Sequence, residues 1–413
     1  MNSYPIRPVQ AEEWPAFAAV DVEAFNIEGD ETEGALFSAM QEFDRTLVAF
    51  DGSAPVGGTA LYSLRMAVPG GVREVAGVTA VAVDPSHRRR GILRSLMTRQ
   101  LTDLHEGGEA VAALYASESP IYRRYGYGVA SHELSYRIPT RGSTAYVRDA
   151  PDDPGLRVRL LRPGKVDEAR QDLAKVHAEA VPLRPGRYER TEARWNSRLS
   201  DGESRRRGSG PLRGVIVEDA TGPRGYALFR IKDGWDSHGV PDCELTLVDL
   251  VALDPAAYAV TWRQLLDRDL VSTVVAQGPV DDPLTRLLAE PRHLHSTWSD
   301  ELWVRLVDVD RALGMRAYAA PVDVVIDVTD PVCPWNERRF RLSGDRSGGT
   351  CTPTGDPADL TVPVQALGSA YLGGESLGSY HTAGLVSEHR PGAVAHLSTA
   401  MSWGVKPHCG LMF

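Results

Sequence analysis

A cluster of basic residues around a glycine is the part of this 413-residue chain best suited to binding an anion. An apolar segment, Val81, Ala82 and Val83, stops at an Asp-Pro pair, and a basic turn follows. Four arginines surround one glycine there: Arg88, Arg89, Arg90, Gly91 and Arg94. A helix start presents backbone N–H groups and the positive end of the helix dipole, and glycine allows a ligand to approach the backbone closely. The pattern therefore predicts a cradle for a diphosphate.

Regular elements on both sides must hold this turn in place. After the turn, apolar residues recur at helical spacing, which predicts a helix whose first turn lies near residues 89–91: Leu93, Leu96, Met97, Leu101 and Leu104. The following apolar run predicts a strand over residues 110–117. The basic turn is thus expected between a strand and a helix, beside a second strand.

The chain contains an internal repeat. The segment from Val81 to Pro85 returns 170 positions later, from Val251 to Pro255, and a helical pattern follows both copies. Only the first copy has the arginine-rich turn. The repeat predicts two domains of the same fold, of which the first binds an anion and the second is a structural partner.

At the basic turn the sequence resembles the GNAT superfamily of acetyl-CoA-dependent N-acetyltransferases, whose motif is Arg/Gln-x-x-Gly-x-Gly/Ala. The match departs from the motif at Leu93, which fills the last small position. This resemblance implies that the backbone of Val81, Ala82 and Val83 binds the pantetheine arm and that the next strand splays away to admit the thioester. It also implies that the loop amides hold the diphosphate, namely those of Arg88, Arg89, Arg90, Gly91, Ile92, Leu93 and Arg94.

A longer resemblance covers nearly the whole chain. The segments 87–91 and 116–118, and the run from Ile121-Tyr122 to Tyr125-Gly126-Tyr127-Gly128, look like the Eis (enhanced intracellular survival) family of bacterial N-acetyltransferases. That likeness implies that Tyr122 is the general acid and that the α-carboxylate of the last residue, Phe413, is the general base. It also implies that Ser117 and Glu118 lie near the acetyl group and that the protein is a homohexamer.

Acetyl transfer to an amine needs one base and one acid, because the amine loses a proton and the departing thiolate gains one. From the residues alone, Tyr125 and Tyr127 are rivals of Tyr122, and only the motif register favours Tyr122. A free α-carboxyl has a pKa of about 3.3–3.7, and burial at an apolar chain end would raise it.

The predicted fold class is α/β (α+β), with two tandem GNAT-type domains, the second degenerate, and a C-terminal sterol-carrier-protein-like α+β domain. The expected boundaries are residues 1–150 for the acetyl-CoA domain and 151–295 for the second copy. Residues 296–413, which resemble the domain at the end of Eis proteins, are expected to deliver Phe413 to the first domain.

Composition limits the partners. The net charge of −10 disfavours binding to nucleic acid and suits cationic small molecules. The sequence contains no run of 18 apolar residues, so we expect no membrane span. The four cysteines form no CxxC pair, so we expect reduced thiols, no metal and a cytoplasmic protein.

The leading hypothesis is an acetyl-CoA-dependent N-acetyltransferase for primary amines of small molecules, either aminoglycoside-like or lysine-type, with direct transfer in a ternary complex. Acidic residues near the first helix either attract such amines or form a solvated face: Glu28, Asp30, Glu31 and Glu33. Because Met412 beside the chain end is neutral, the sequence leaves open whether aminoglycosides are substrates. The alternatives are a lipid carrier that uses the C-terminal domain, and a cofactor-binding sensor without turnover.

Overall fold

The computed structural model describes residues 4–28, 30–141, 145–410 and 412–413. The chain forms two compact units. One holds the described residues up to Ser131 together with Pro185–Tyr188 and Glu301–Phe413, and the other holds His132–Arg184 and Glu189–Asp300. Each is described in its own frame below.

The N-terminal part of the first unit combines strands with helices. Its elements are β1 (Ile6–Pro8), α1 (Trp14–Phe25), α2 (Glu31–Ser38), β2 (Leu47–Asp51), β3 (Ala54–Val68), β4 (Gly71–Val83), α3 (Ile92–Gly107), β5 (Val111–Tyr115), α4 (Ser119–Arg123) and β6 (Gly128–Val129).

The second unit contains a similar series of strands and helices, but the helix after its Asp-Pro pair begins within that pair. Its elements are β7 (His132–Pro139), β8 (Arg157–Leu161), α5 (Arg170–Ala180), α6 (Glu192–Leu199), α7 (Glu203–Arg206), β9 (Arg213–Asp219), β10 (Gly222–Lys232), β11 (Cys243–Ala252), α8 (Pro255–Leu266), β12 (Val271–Pro279), α9 (Leu284–Leu287) and β13 (Thr297–Asp300).

The C-terminal part returns to the first unit. Its elements are β14 (Leu302–Leu306), α10 (Val309–Gly314), β15 (Val322–Thr329), β16 (Arg339–Asp345), β17 (Gly348–Pro353), β18 (Leu360–Pro363), α11 (Val364–Ala370), α12 (Leu377–Thr382), β19 (Ser387–Glu388) and α13 (Ala393–Met401).

The sheets do not follow chain order. The first has the order β1-β2-β3-β4-β5-β14-β6, so β14 lies antiparallel between β5 and β6. The second has the order β13-β7-β12-β11-β10-β9-β8, and the third, β17-β16-β15-β18-β19, is the sheet of the C-terminal domain. Each sheet combines parallel and antiparallel pairs, as the mixed α/β fold class requires.

One apolar core joins the two parts of the first unit. Side chains of β3 and β5 belong to the same buried cluster as those of β14, β15 and α13. All five residues of β14 are buried, as expected for a strand in the interior of a sheet that is covered on both faces.

The predicted elements beside the basic turn are present with shifted ends. Helix α3 begins at Ile92, after the expected first turn, because Arg89 (φ 62°) and Gly91 (φ 85°) are left-handed and cannot continue a helix. The predicted strand over residues 110–117 is β5, which spans Val111–Tyr115.

Candidate active site

The turn between β4 and α3 exposes a helix start. Asp84 accepts a hydrogen bond from the Ser86 N–H at 2.8 Å, which closes the first part of the turn. Gly91 is the N-cap residue of α3, and no described side chain caps this helix end. A Cβ at Gly91 would meet nothing within 4 Å, so the positive φ is what requires glycine. The unsatisfied N–H groups and left-handed residues form a concavity suited to a diphosphate.

The arginines of the turn divide into two roles. Arg90 braces the turn, since its guanidinium donates to the Tyr4 hydroxyl and to the Ser86 carbonyl, both at 3.0 Å. Arg88, Arg89 and Arg94 are exposed, which leaves their charge at the surface of the helix start.

Strands β4 and β5 separate beside this turn. They pair in parallel at Ala76↔Ala112 and Gly77↔Ala113, and in the described chain that pairing goes no further, although β4 continues to Val83. The register between β3 and β4 shifts near Ala80, which has a φ of 47°. Backbone groups of residues 78–83 therefore border an open wedge, which we call the β4–β5 wedge. Val81, Ala82 and Val83, predicted to bind pantetheine, lie along it.

Tyr122 packs against one face of the first sheet. It belongs to a buried cluster with Ala76, Ala112 and Leu114. Burial raises the pKa of the phenol, a hydrogen bond with the Ser117 side chain opposes this and nearby Glu118 adds to it, and the net pKa is about 12. The structure thus brings Ser117, Glu118 and Tyr122 together after β5, with Tyr122 a neutral proton donor at ordinary pH.

The rival tyrosines differ in their surroundings. Tyr127 is fully buried, edge-on to Tyr122 at 6.1 Å between ring centroids, and burial raises its pKa. Its hydroxyl has no hydrogen-bond partner in the described part of the chain. Tyr125 is half-buried, and burial raises its pKa against the opposing charges of Arg124 and Arg94.

The ring of Phe413 packs against the other face of the sheet. It lies edge-on to Tyr115, the last residue of β5, at 5.5 Å, and to Tyr188 at 5.7 Å. A Cβ at Gly77 would lie 3.1 Å from Cε2 of Phe413, so the ring occupies the space beside the residue where the strands part. Because neighbouring strand residues point to opposite faces, Tyr122 and the Phe413 ring approach the β4–β5 wedge from opposite sides.

The corresponding region of the second unit is closed by its own side chains. Helix α8 begins within the Asp-Pro pair, and Asp254 caps it by accepting the N–H groups of Ala256 (3.0 Å) and Ala257 (2.9 Å). Beyond its pairing with β12, strand β11 presents the Val248 carbonyl to Arg198, and Asp249 forms an ion pair with Arg190 at 2.6 Å. Burial alone would raise the pKa of Asp249, but the two arginines hold it below its usual range.

Parts of the chain match known protein families. Residues 5–130 and 186–306 match acetyltransferase (GNAT) domain families, and residues 309–410 match a sterol carrier protein domain family. An uncharacterized N-acetyltransferase of Streptomyces avermitilis is 41% identical over 405 residues, 97% of this chain and 98% of its own.

Two further relatives carry the Eis name. The N-acetyltransferase Eis of Mycobacterium bovis is 33% identical over 377 residues, 88% of either chain. The crystal structure of Eis1 from Mycobacterium abscessus superposes with a TM-score of 0.84 at 35% identity, over 99% of this chain and 100% of its own. The chain belongs to the Eis family of N-acetyltransferases.

Membership of the Eis family settles the general reaction. The protein is an N-acetyltransferase with two GNAT domains and a C-terminal sterol-carrier-protein-like domain, its co-substrate is acetyl-CoA, and an acceptor receives the acetyl group. The uncapped start of α3 and the β4–β5 wedge suit such a co-substrate, because one presents N–H groups to phosphates and the other an open strand edge to an amide-containing arm. In the described residues, no helix is long and apolar enough to cross a membrane.

The acidic run near α2 is only partly available to a ligand. Asp30 caps α2 by accepting the Glu33 N–H at 2.8 Å, whereas Glu28 and Glu31 are exposed. Sequence reasoning missed Asp21 in α1, a helix that packs across β3 and β4. Burial raises the pKa of Asp21 to about 6, and its Oδ1 has no partner in the described structure. A carboxylate between two valines within a helix was the signal available.

The tail also contains a thiol that sequence reasoning did not place near the site. Cys409 is buried, and it forms a side-chain hydrogen bond with Tyr115. All four cysteines are buried, and none of the described residues forms a disulfide.

Proposed function

We propose that this protein transfers the acetyl group of acetyl-CoA directly to primary amines of small molecules, of the aminoglycoside-like or lysine type, in a ternary complex. The observation that carries the proposal is the β4–β5 wedge, with Tyr122 on one side and the Phe413 ring on the other. A thioester seated in this wedge would have a proton donor and the chain terminus on opposite sides.

In this proposal each group of residues has one task. The backbone of Val81, Ala82 and Val83 binds the pantetheine arm as a neighbouring strand would. The loop amides between Arg88 and Arg94 bind the diphosphate, while Arg90 holds the turn in shape. Ser117 and Glu118 border the acetyl group, and Ser117 orients the Tyr122 hydroxyl.

The proton transfers balance within the site. The Phe413 α-carboxylate takes the proton that the attacking amine loses as its C–N bond forms. Tyr122 gives its proton to the sulfur as the C–S bond breaks, and solvent returns both groups to their starting state. Proton transfer by positioned groups contributes about 10²- to 10⁴-fold each.

The amine acceptor is supported by charge. Oδ1 of Asp21 is buried and has no hydrogen-bond partner among the described residues, so this carboxylate is suited to an ammonium group, and the exposed Glu28 and Glu31 add negative charge close by in the sequence. Met412, beside the terminus, is neutral and 70% exposed, so polycationic aminoglycosides lack a carboxylate at that position.

Deletion of Phe413 and the substitution Tyr122→Phe test the mechanism in a chain with an untagged C-terminus. Each variant is expected to lose most of its turnover in a thiol-release assay over a panel of amines, while calorimetry still detects acetyl-CoA binding. Full turnover in both variants would reject the proposal. Apolar residues of the C-terminal domain share a core with β3 and β5, which favours the acetyltransferase over the lipid-carrier alternative.

The remaining parts of the proposal concern organisation. We propose domain boundaries at residues 1–150, 151–295 and 296–413 and an active site that holds no metal ion. We also propose a homohexamer, and a monomer in sedimentation would contradict it. We also propose a cytoplasmic location, where cysteines remain reduced, as the four thiols are in this structure.

A further inference from the structure

The buried carboxylate of Glu301 binds the backbone of the C-terminal segment. Glu301 is 3% exposed and directly precedes β14. The N–H of Cys409 donates to both carboxylate oxygens at 3.1 Å, and the N–H of Gly410 donates to Oε1 at 2.8 Å. One side chain thus satisfies two successive backbone donors of the segment.

Other groups complete the environment of this carboxylate. The Ser131 hydroxyl donates to it at 2.7 Å, the Tyr115 hydroxyl donates at 3.3 Å, and His408 Nδ1 lies 3.1 Å from Oε1. Burial alone would raise the pKa of Glu301, but His408, the Gly410 N–H and the Ser131 hydroxyl lower it to about 2. The carboxylate is therefore charged, and hydrogen bonds to a charged acceptor are roughly twice as strong as neutral ones.

The segment is also held from its other side. The His408 N–H donates to the Pro185 carbonyl at 2.9 Å, and a Cβ at Gly186 would lie 3.1 Å from the His408 carbonyl carbon. Gly410 then turns the chain with a φ of 72°. Tyr115 contacts both ends of this arrangement, since its hydroxyl reaches Glu301 and its ring packs on Phe413.

We propose that Glu301 is the positioning residue for the terminal carboxylate, an inference that rests on the role proposed above for Phe413. By fixing the backbone at Cys409 and Gly410, Glu301 restrains the position of Phe413 and keeps the base at the β4–β5 wedge. Glu301 does not touch the reacting atoms. It acts through the tail, so its effect on catalysis must disappear when the tail has no base to position.

The first test is Glu301→Gln in the full-length, untagged chain. Glutamine keeps the size of the side chain but replaces one accepting oxygen with a donor that faces a backbone N–H. We expect kcat to fall about tenfold, because small displacements of a reacting group are costly. The KM for acetyl-CoA should be unchanged, and hydrogen exchange at the amides of Cys409 and Gly410 should be faster. Unchanged kcat with unchanged exchange would overturn the inference.

The second test combines this substitution with deletion of Phe413. In the deleted chain, Glu301→Gln should cause no further loss of kcat. An equal loss in both backgrounds would indicate a structural role and would overturn the inference. If the deletion alone leaves full turnover, the role proposed for Phe413 fails, whereas an impaired deletion with fully active Glu301→Gln rejects only the positioning role.

A substitution on the tail itself guards against misfolding of the glutamine variant. Gly410→Ala strains the φ of 72° and places a Cβ 3.2 Å from His408 Nε2, without altering the buried carboxylate. It should lower kcat in the full-length chain and have no effect after deletion of Phe413. Equal effects in both backgrounds would again contradict the inference.

Discussion

Tyr122 and Phe413 pack against opposite faces of the first sheet, at the place where β4 and β5 cease to pair. Tyr122 shares a cluster with Ala112 and Leu114, whereas the Phe413 ring contacts Tyr115 and the space beside Gly77. In the proposed mechanism, a proton enters from one side of a bound thioester and leaves from the other. The predictions below follow from it.

Tyr122→Phe should lower kcat about 10²-fold or more with little change in acetyl-CoA affinity, because it removes a proton donor and no binding contact. The pKa of about 12 keeps Tyr122 protonated below that pH. The rate should therefore not fall through ionisation of Tyr122 between pH 7 and 10. A pH–rate profile of the wild-type chain that loses activity near pH 9, with the loss absent in Tyr122→Phe, would contradict this assignment.

Gly91→Ala should weaken acetyl-CoA binding about tenfold, because a non-glycine residue at positive φ costs roughly 1–2 kcal/mol and distorts the start of α3. Gly107→Ala is the matched control, since Gly107 lies in the same helix with open space around it. Calorimetric titration measures both. Equal affinity in the two variants would show that the turn does not hold the diphosphate.

Asp21→Asn should raise the KM for the amine while stabilising the fold near neutral pH. The native pKa of about 6 lies above the ordinary 3.8, so the native state binds this proton more tightly and the stability of the wild-type chain falls as pH rises from 3.8 to 6. At pH 7.5 the buried charge costs about 2–3 kcal/mol. The variant should melt higher than wild type at pH 7.5 and equally at pH 4.

The exposed Asp44 provides the control for this substitution. Asp44→Asn should change neither the melting temperature nor the amine KM. A gain in stability for Asp21→Asn that is the same at both pH values would show that its carboxylate is not desolvated.

Cys409→Ala should retain turnover within about twofold, because direct transfer needs no enzyme nucleophile. Because the thiol lies beside Tyr115, the last residue of β5, a nucleophilic role for Cys409 has to be tested. Initial rates with both substrates varied should give intersecting reciprocal plots. Parallel plots together with an inactive Cys409→Ala chain would indicate an acetyl-thiol intermediate.

Local patterns predicted the elements around the site but not their partners. The Asp-Pro ends of two apolar runs and the glycine in the basic turn indicated β4, β11 and the start of α3 to within a few residues. The placement of β14 between β5 and β6 depends on a pairing across nearly two hundred residues, and no local pattern encodes such a pairing.

The residues of the candidate site, too, could be predicted from the sequence only in part. The motif around Tyr122 could be read from the chain, as could an apolar terminus. Glu301 and Asp21 could not, because their importance comes from burial and from backbone groups brought to them by distant segments. Asp254 illustrates the converse: one Asp-Pro pair leads into the basic turn, whereas its repeat caps a helix, and this difference is visible only in the hydrogen bonds.

The most direct measurement compares kcat for three untagged chains: wild type, a chain lacking Phe413, and a chain extended by one glycine after Phe413. The extension keeps the aromatic ring but moves the free carboxylate, so both altered chains should lose about 10²-fold or more in kcat while binding acetyl-CoA normally. Met412→Ala, at a side chain 70% exposed, should match wild type. Full turnover in the glycine-extended chain would contradict a catalytic role for the terminal carboxylate.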